Sequence, residues 1–358
     1  MDKIEKLLKE LTEASGISGH ETEIRGVIKN HLRNAGELSQ DKMGSVICKK
    51  KGTVKSPVLM LEAHMDEIGF LVSQITDEGF IRFVTIGGWW EHVLLTQRVC
   101  IQTGKGNITG IIGAKAPHLL TDDERNKLLP VKKMYIDIGA TSRKEVDNTG
   151  VSQGDPVVPV SEFTLLPGSK SYLGKAFDNR AGCAVVITTL NNMVNIKHPN
   201  TLLGTISVQE EVGTRGAKTA VAVANPDVAI ILESSAATDT PGGASQEEKP
   251  IKLGAGPILT VFRGDMIPNQ YLLSLVKKTA EKYSIPLQYR IGGISGSTDG
   301  AVIHVYNQGV PTVVLSLPVR NVHSHSSIMH RDDFDNLIKL LTHLVQVIDK
   351  KAFEKMIE

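Results

Sequence analysis

The sequence predicts an α/β fold, a mixed and mainly parallel sheet flanked by helices, with a small all-β module inserted into it. Three observations lead there. Compact apolar runs rich in β-branched residues occur at 58–63, 202–208, 228–232 and 312–317, and runs of that kind suit strands buried on both faces. Helical stretches alternate with them, the order expected of a largely parallel sheet covered on two sides. From about residue 72 to about 166 the alternation lapses, and short strand-like pieces separated by Gly, Asn and Asp turns take over.

The elements follow in chain order. Ile4, Leu7, Leu8 and Leu11 share one helical face before Gly16 ends the first helix. Ser18 and Glu21 have the spacing of a capping box, and Ile24, Val27, Ile28 and Leu32 continue a helical stripe to Gly36. The strand at 58–63 leads into the region of FIRFVTI, RVCIQT, NITGIIG, MYIDIGA and DPVVPV, five short strand candidates with no convincing helix longer than a turn or two among them. Helices are then expected over AGCAVVITTLNNMV, GAKTAVAVA, QYLLSLVKKTAEKYS and the C-terminal DDFDNLIKLLTHLVQVIDKKAFEKM. Residues 1–71 and 167–358 are therefore expected to form one discontinuous α/β domain around an insert at 72–166.

Composition narrows the function. The 358 residues are 41% hydrophobic and 22% charged with a net charge of +1, so neither nucleic acid nor a membrane surface finds an electrostatic footprint. The charged N-terminal segment lacks the apolar stretch of a signal peptide, and no apolar run approaches the ~20 residues of a membrane span. Cys48, Cys100 and Cys183 are isolated from one another, which points to buried thiols in a reducing cytoplasm.

Metal-capable side chains gather at strand ends. His64 and Asp66 form an H-x-D pair after the first run, Glu210 and Glu211 follow the second, Glu233 closes the third, and His323 follows the fourth. Sites in open α/β sheets form at the carboxyl ends of strands, so four such endings converge. Each residue has a plainer role beside the chemical one. His64 alone would be a hydrogen-bonded structural histidine, and Asp66 could orient it rather than bind anything itself. The Glu210–Glu211 pair alone would be solvated loop charge, and Glu233 an isolated acid. Asp178 could cap the helix that follows it, or bridge two cations, or do both. Of His323, His325 and His330, one reads as a ligand and two as bystanders. His92 and His118 fall in the insert and read as structural or interfacial. No G-x-S-x-G elbow or phosphate loop occurs, and the glycines of GGISGSTDG lack the dinucleotide fingerprint.

The ordered set AHMDEIGF, FDNR, QEEVGTRGA, LES with DTPGG, and RNVHS resembles the dinuclear metallo-aminopeptidases. More narrowly, it is similar to the tetrahedral (TET-type) aminopeptidases, which include glutamyl aminopeptidases once labelled cellulase M proteins. The likeness extends over nearly the whole chain, including the GGWW and QRV segments of the insert. It implies a zinc-peptidase-like catalytic domain and two divalent metals per subunit, zinc, cobalt or manganese. His64 and Glu233 would bind one, Glu211 and His323 the other, and Asp178 both. Glu210 would be the general base and Asp66 would orient His64. The substrates would be peptides with free N-termini, attacked by a water held between the metals. The subunits would form a twelve-membered shell of dimers joined through the insert. Two positions depart from the pattern. Glu233 stands where Asp is common, and RNVHSH stands where the family has an aromatic residue and H-S-P, so that His325 replaces a proline. Rival readings are a related deacylase or carboxypeptidase and, on the old label, an endoglucanase. The latter is disfavoured by 4% aromatic content and by acids that interleave with histidines.

Overall fold

The structure, a computed structural model, describes residues 1–244, 249–292 and 297–358. Part of the GGISGSTDG segment lies outside those residues. Among the described residues the chain builds one large sheet and one closed barrel.

The centre of the sheet is parallel. Thr201–Ser207 pairs with Val58–His64, which pairs with Val228–Ala236, which in turn pairs with Thr312–Arg320. Antiparallel strands extend it on both sides, Val46–Lys50 against Thr201–Ser207 and Ser327–His330 against Thr312–Arg320. Side-chain parity explains why the central runs are apolar throughout. Leu59, Leu61, Ala63, Ile230, Leu232, Val313 and Leu315 enter one core with the helix Phe177–Asn192, while Met60, Ala229, Ile231 and Val314 enter a second with Arg215–Ala224. Both faces are covered, so alternation of polar and apolar residues never develops.

The barrel is antiparallel. Its strands run in the order Gly69–Ile75, Ile81–Ile86, Tyr135–Asp137, Gly106–Gly113, Arg98–Thr103 and Pro156–Pro159, the last returning to pair with the first. Phe70, Val72, Ile81, Phe83, Val99, Ile101, Ile112, Ile136 and Val157 fill it from alternate strand positions. The first barrel strand begins at Gly69 and the last ends at Pro159, whereas Thr164–Leu165 pairs within the large sheet. The barrel strands thus span 69–159, beginning before the expected insert of 72–166 and ending short of its expected close.

Two local expectations are corrected. Ser18 and Glu21 form no capping box. The helix Thr22–Leu32 starts without a side-chain cap, because the Ser18 hydroxyl goes to Asp66 and the Glu21 carboxylate takes the Gly19 N–H. The C-terminal helical stretch is two helices, Arg331–Val347 and Lys350–Ile357. They part at Asp349, whose carboxylate caps the Ala352 N–H. No described helix is long and apolar enough to cross a membrane.

Candidate metal centre

His64 ends its strand at the carboxyl edge of the sheet, beside Ser207 in the neighbouring strand. Its Nδ1 lies 3.2 Å from the Asp66 carbonyl oxygen and 3.5 Å from Asp66 Oδ1. A proton on Nδ1 serves that contact and leaves Nε2 free to face the other acids. Nε2 lies 3.3 Å from Asp178 Oδ1, 3.5 Å from Glu233 Oε1 and 4.0 Å from Glu210 Oε2. On the far side of Asp178, His323 Nε2 lies 3.7 Å from Asp178 Oδ2 and 3.5 Å from Glu211 Oε2. Asp178 therefore turns one oxygen to each histidine.

The supports of these side chains are specific. Asp178 does not cap the helix by a side-chain bond. Its turn is tied to the strand carrying Glu233 by two bonds, Asn179 Nδ2 to the Leu232 carbonyl at 2.8 Å and Ser234 Oγ to the Phe177 carbonyl at 2.8 Å. Glu233 lies within its strand, three residues before the end, so a sheet position rather than a loop fixes it. Glu210 and Glu211 are held through Asp66, whose carboxylate accepts the Glu210 N–H at 2.9 Å, the Glu211 N–H at 3.2 Å and the Ser18 hydroxyl at 2.6 Å. Ala176, Gln209, Thr214 and His323 all have left-handed backbone, at φ 53°, 55°, 52° and 57°. Such conformations cost a non-glycine residue energy, and here they flank or include the converging side chains.

The electrostatics are one-sided. Burial pushes the Glu210, Glu211 and Glu233 carboxyls above their ordinary range; their mutual repulsion adds to the shift, and His64 opposes it. Burial pulls the His64 imidazole down, but Glu233, Asp178 and Asp66 outweigh it and raise it well above its usual value. Burial likewise opposes ionisation of Asp66, yet hydrogen bonds from His64, Ser18 and the Glu210 N–H hold it below the usual carboxylate range. Among the described residues, no lysine or arginine pairs with Asp178, Glu210, Glu211 or Glu233. An acidic cluster that lacks a basic partner fits a cation, and oxygen and imidazole donors fit a divalent one. Ligand atoms of His64, Asp178 and Glu211 lie within 4.8 Å of one another, a group able to hold a metal ion.

This arrangement meets its relatives in sequence. A family model described as M42 glutamyl aminopeptidase matches residues 44–340. The chain belongs to that M42 family. A TET aminopeptidase structure from a marine sediment archaeon, Thaumarchaeota archaeon SCGC AB-539-E09, is 42% identical, with 99% of each chain covered and a TM-score of 0.96. The lysyl aminopeptidase of Pyrococcus furiosus is 32% identical over 97% of this chain and 98% of its own. A TET1 peptidase from Pyrococcus horikoshii, described as assembling into a tetrahedron or a large octahedral shell, is 31% identical over 97% of this chain and 100% of that one, with a TM-score of 0.85. Membership in the M42 family makes the chain a hydrolase of the aminopeptidase class.

Residues outside the cluster complete the picture. His325 is buried beside Trp89 and Phe70, with ring centroids 5.1 and 6.3 Å away, and neither of its nitrogens has a hydrogen-bond partner among the described residues. Nδ1 of His330 accepts the Asp332 N–H and caps the last long helix. His92 lies in the barrel against Trp90, and His118 sits in the short turn Pro117–Leu119. None of these four joins the cluster.

Sequence reading missed Ser18, Arg180 and a second acidic pair. Arg180 is fully buried and donates to the carbonyls of Met65, Leu11, Ala14 and Gly16 and to Glu67, locking the first helix onto the turn after His64. A lone arginine in the apolar stretch AFDNRAGCAVV was the available signal. Glu62 and Asp299 both reach the Ser207 hydroxyl, at 2.8 and 2.6 Å. One hydroxyl hydrogen serves only one of them, so the other acid keeps its proton and donates, in line with burial raising Glu62 well above its usual range. No motif announced that pair.

Proposed function

We propose that the chain removes N-terminal residues from peptides by metal-assisted hydrolysis, with Glu210 as general base. The observation that carries this reading is the division of the Asp178 carboxylate between His64 at 3.3 Å and His323 at 3.7 Å, the posture of a group shared by two cations. In this reading His64 and Glu233 would hold one cation, Glu211 and His323 would hold the other, and Asp178 would serve both. Zinc, cobalt and manganese all suit imidazole with carboxylate. When bound, the cations supply a Lewis acid for the scissile carbonyl and make water acidic enough to attack near neutral pH.

The chain's own groups do the rest. Glu210 accepts the proton of the attacking water at its carboxylate and passes it to the departing amine. Asp66 fixes both the His64 ring and the backbone of Glu210, so base and ligand move together. A free α-amine can approach a bound cation or one of these carboxylates, and such a contact would select N-termini over internal bonds. An N-acylated or carboxy-terminal substrate offers no free amine there, and for that reason the aminopeptidase reading is preferred to a deacylase or carboxypeptidase.

The deciding experiment uses protein stripped with chelator and a panel of aminoacyl p-nitroanilides, each paired with its N-acetyl form. Zinc, cobalt and manganese are added back singly. Activity restored by metal and confined to free amines is expected, and Glu210→Gln should bind metal normally but turn over about 10²–10⁴-fold more slowly. Hydrolysis of the acetylated substrates, or turnover by Glu210→Gln at the parental rate, would overturn it.

We also infer a closed homo-oligomeric shell of twelve subunits, by analogy with a TET1 peptidase structure described as a dodecamer. The barrel would join the dimers, which the exposure of Trp90, Leu119 and Leu128 on it favours. Light scattering of the intact chain tests the assembly. Three unpaired cysteines fit a cytoplasmic home.

A further inference from the structure

The barrel meets the candidate centre at the Gly87-Gly88-Trp89 turn that follows the strand Ile81–Ile86. Three independent contacts converge there. The Gly88 carbonyl accepts a hydrogen bond from His323 Nδ1 at 2.8 Å, which leaves Nε2 facing Asp178 and Glu211. The two glycines permit the approach: a Cβ on Gly87 would lie 2.4 Å from Ile68 and 3.5 Å from the Glu211 Cβ, and one on Gly88 would lie 3.2 Å from His323 Nδ1. Trp89 then clamps the turn. Its Nε1 donates to the Gly69 carbonyl at 3.1 Å, its ring stacks on Phe70 at 4.7 Å, and His325 packs against it at 5.1 Å.

His323 needs such help. It lies on a loop outside the described strands, with a left-handed backbone, and its side chain is 41% exposed. Glu233 and His64, by contrast, are held by the sheet itself.

We propose that the Gly87-Gly88-Trp89 turn is a positioning device for the cation site formed by Glu211 and His323, so that docking of the barrel completes one of the two sites and not the other. The proposal rests on the ligand set given under the proposed function. Outer partners that fix the tautomer and orientation of a ligating histidine are worth about 10–100-fold in metal affinity.

The test is titration of the metal-stripped full chain with cobalt(II) chloride, followed by visible absorption and by metal content after dialysis. Gly88→Ala and Trp89→Ala should each weaken one of two binding events about 10–100-fold and leave the other unchanged. Trp89→Phe keeps the stack on Phe70 and His325 and should recover most of the loss. His323→Ala is the reference. Loss of the same event in His323→Ala, with both turn variants binding as the parent does, would overturn the positioning role alone. Parental binding by His323→Ala would instead remove the ligand set beneath it. Equal weakening of both events by Gly88→Ala would also overturn the proposal, since the turn would then lack selectivity for one site.

Discussion

Replacing Asp66 with asparagine isolates the most connected side chain of the centre. Its carboxylate is fully buried and accepts two backbone N–H groups, those of Glu210 at 2.9 Å and Glu211 at 3.2 Å, on different oxygens. Asparagine has a single acceptor oxygen. Whichever way the amide turns, its NH2 faces one of those two N–H donors, and the donor is left buried without a partner. An orphaned buried donor costs about 1–3 kcal/mol. If that cost falls on the transition state, kcat drops about 5–150-fold, because each 1.36 kcal/mol is worth a factor of ten. Ser18→Ala provides a graded comparison. It removes the 2.6 Å hydroxyl contact but leaves both N–H partners satisfied, so its effect should be the smaller of the two. The assay is kcat and KM on an aminoacyl p-nitroanilide at saturating metal, with circular dichroism to confirm the fold. Asp66→Asn with parental kcat/KM and metal affinity would refute the orienting role, and so would a Ser18→Ala defect larger than that of Asp66→Asn.

Other outcomes follow from the same geometry. His323→Ala and Asp178→Asn should each lower bound metal measured by plasma emission, whereas His325→Phe, which preserves the ring packed on Trp89, should not. Arg180→Met should destabilise by more than about 3 kcal/mol, since it strands the buried Met65 and Leu11 carbonyls and leaves Glu67 with Lys175 as its one cationic partner among the described residues; a denaturation midpoint equal to the parent's would contradict this. Cys48 and Cys183 are buried, and burial pushes their thiols up to about 11 and about 12. Neither should react with a disulfide reagent at pH 8 until the chain is denatured.

The legible part of the fold was the part governed by local pattern. Four apolar runs became the four central parallel strands because a strand buried on both faces has no polar side to interrupt it. The barrel was legible as a loss of helical periodicity between turn residues, but its start at Gly69 was not, since Gly69–Ile75 continues an apolar stretch that began in the large sheet. The paired helices at the C-terminus read as one because the break depends on a single cap at Asp349.

Chain order and residue type by themselves determined which acids and histidines were available, and that they follow the sheet's strands closely enough to meet at one edge. They could not decide orientation. Whether Ser18 caps a helix or binds Asp66, whether Asp178 caps or bridges, and which of His323 and His325 turns toward the acids depend on what lies across space from each. His323 meets the Gly88 carbonyl, and His325 is enclosed by Trp89 and Phe70. Those partners lie more than two hundred positions away in the chain, so only the folded packing, which forces each polar group to find a partner or do without, selects between them.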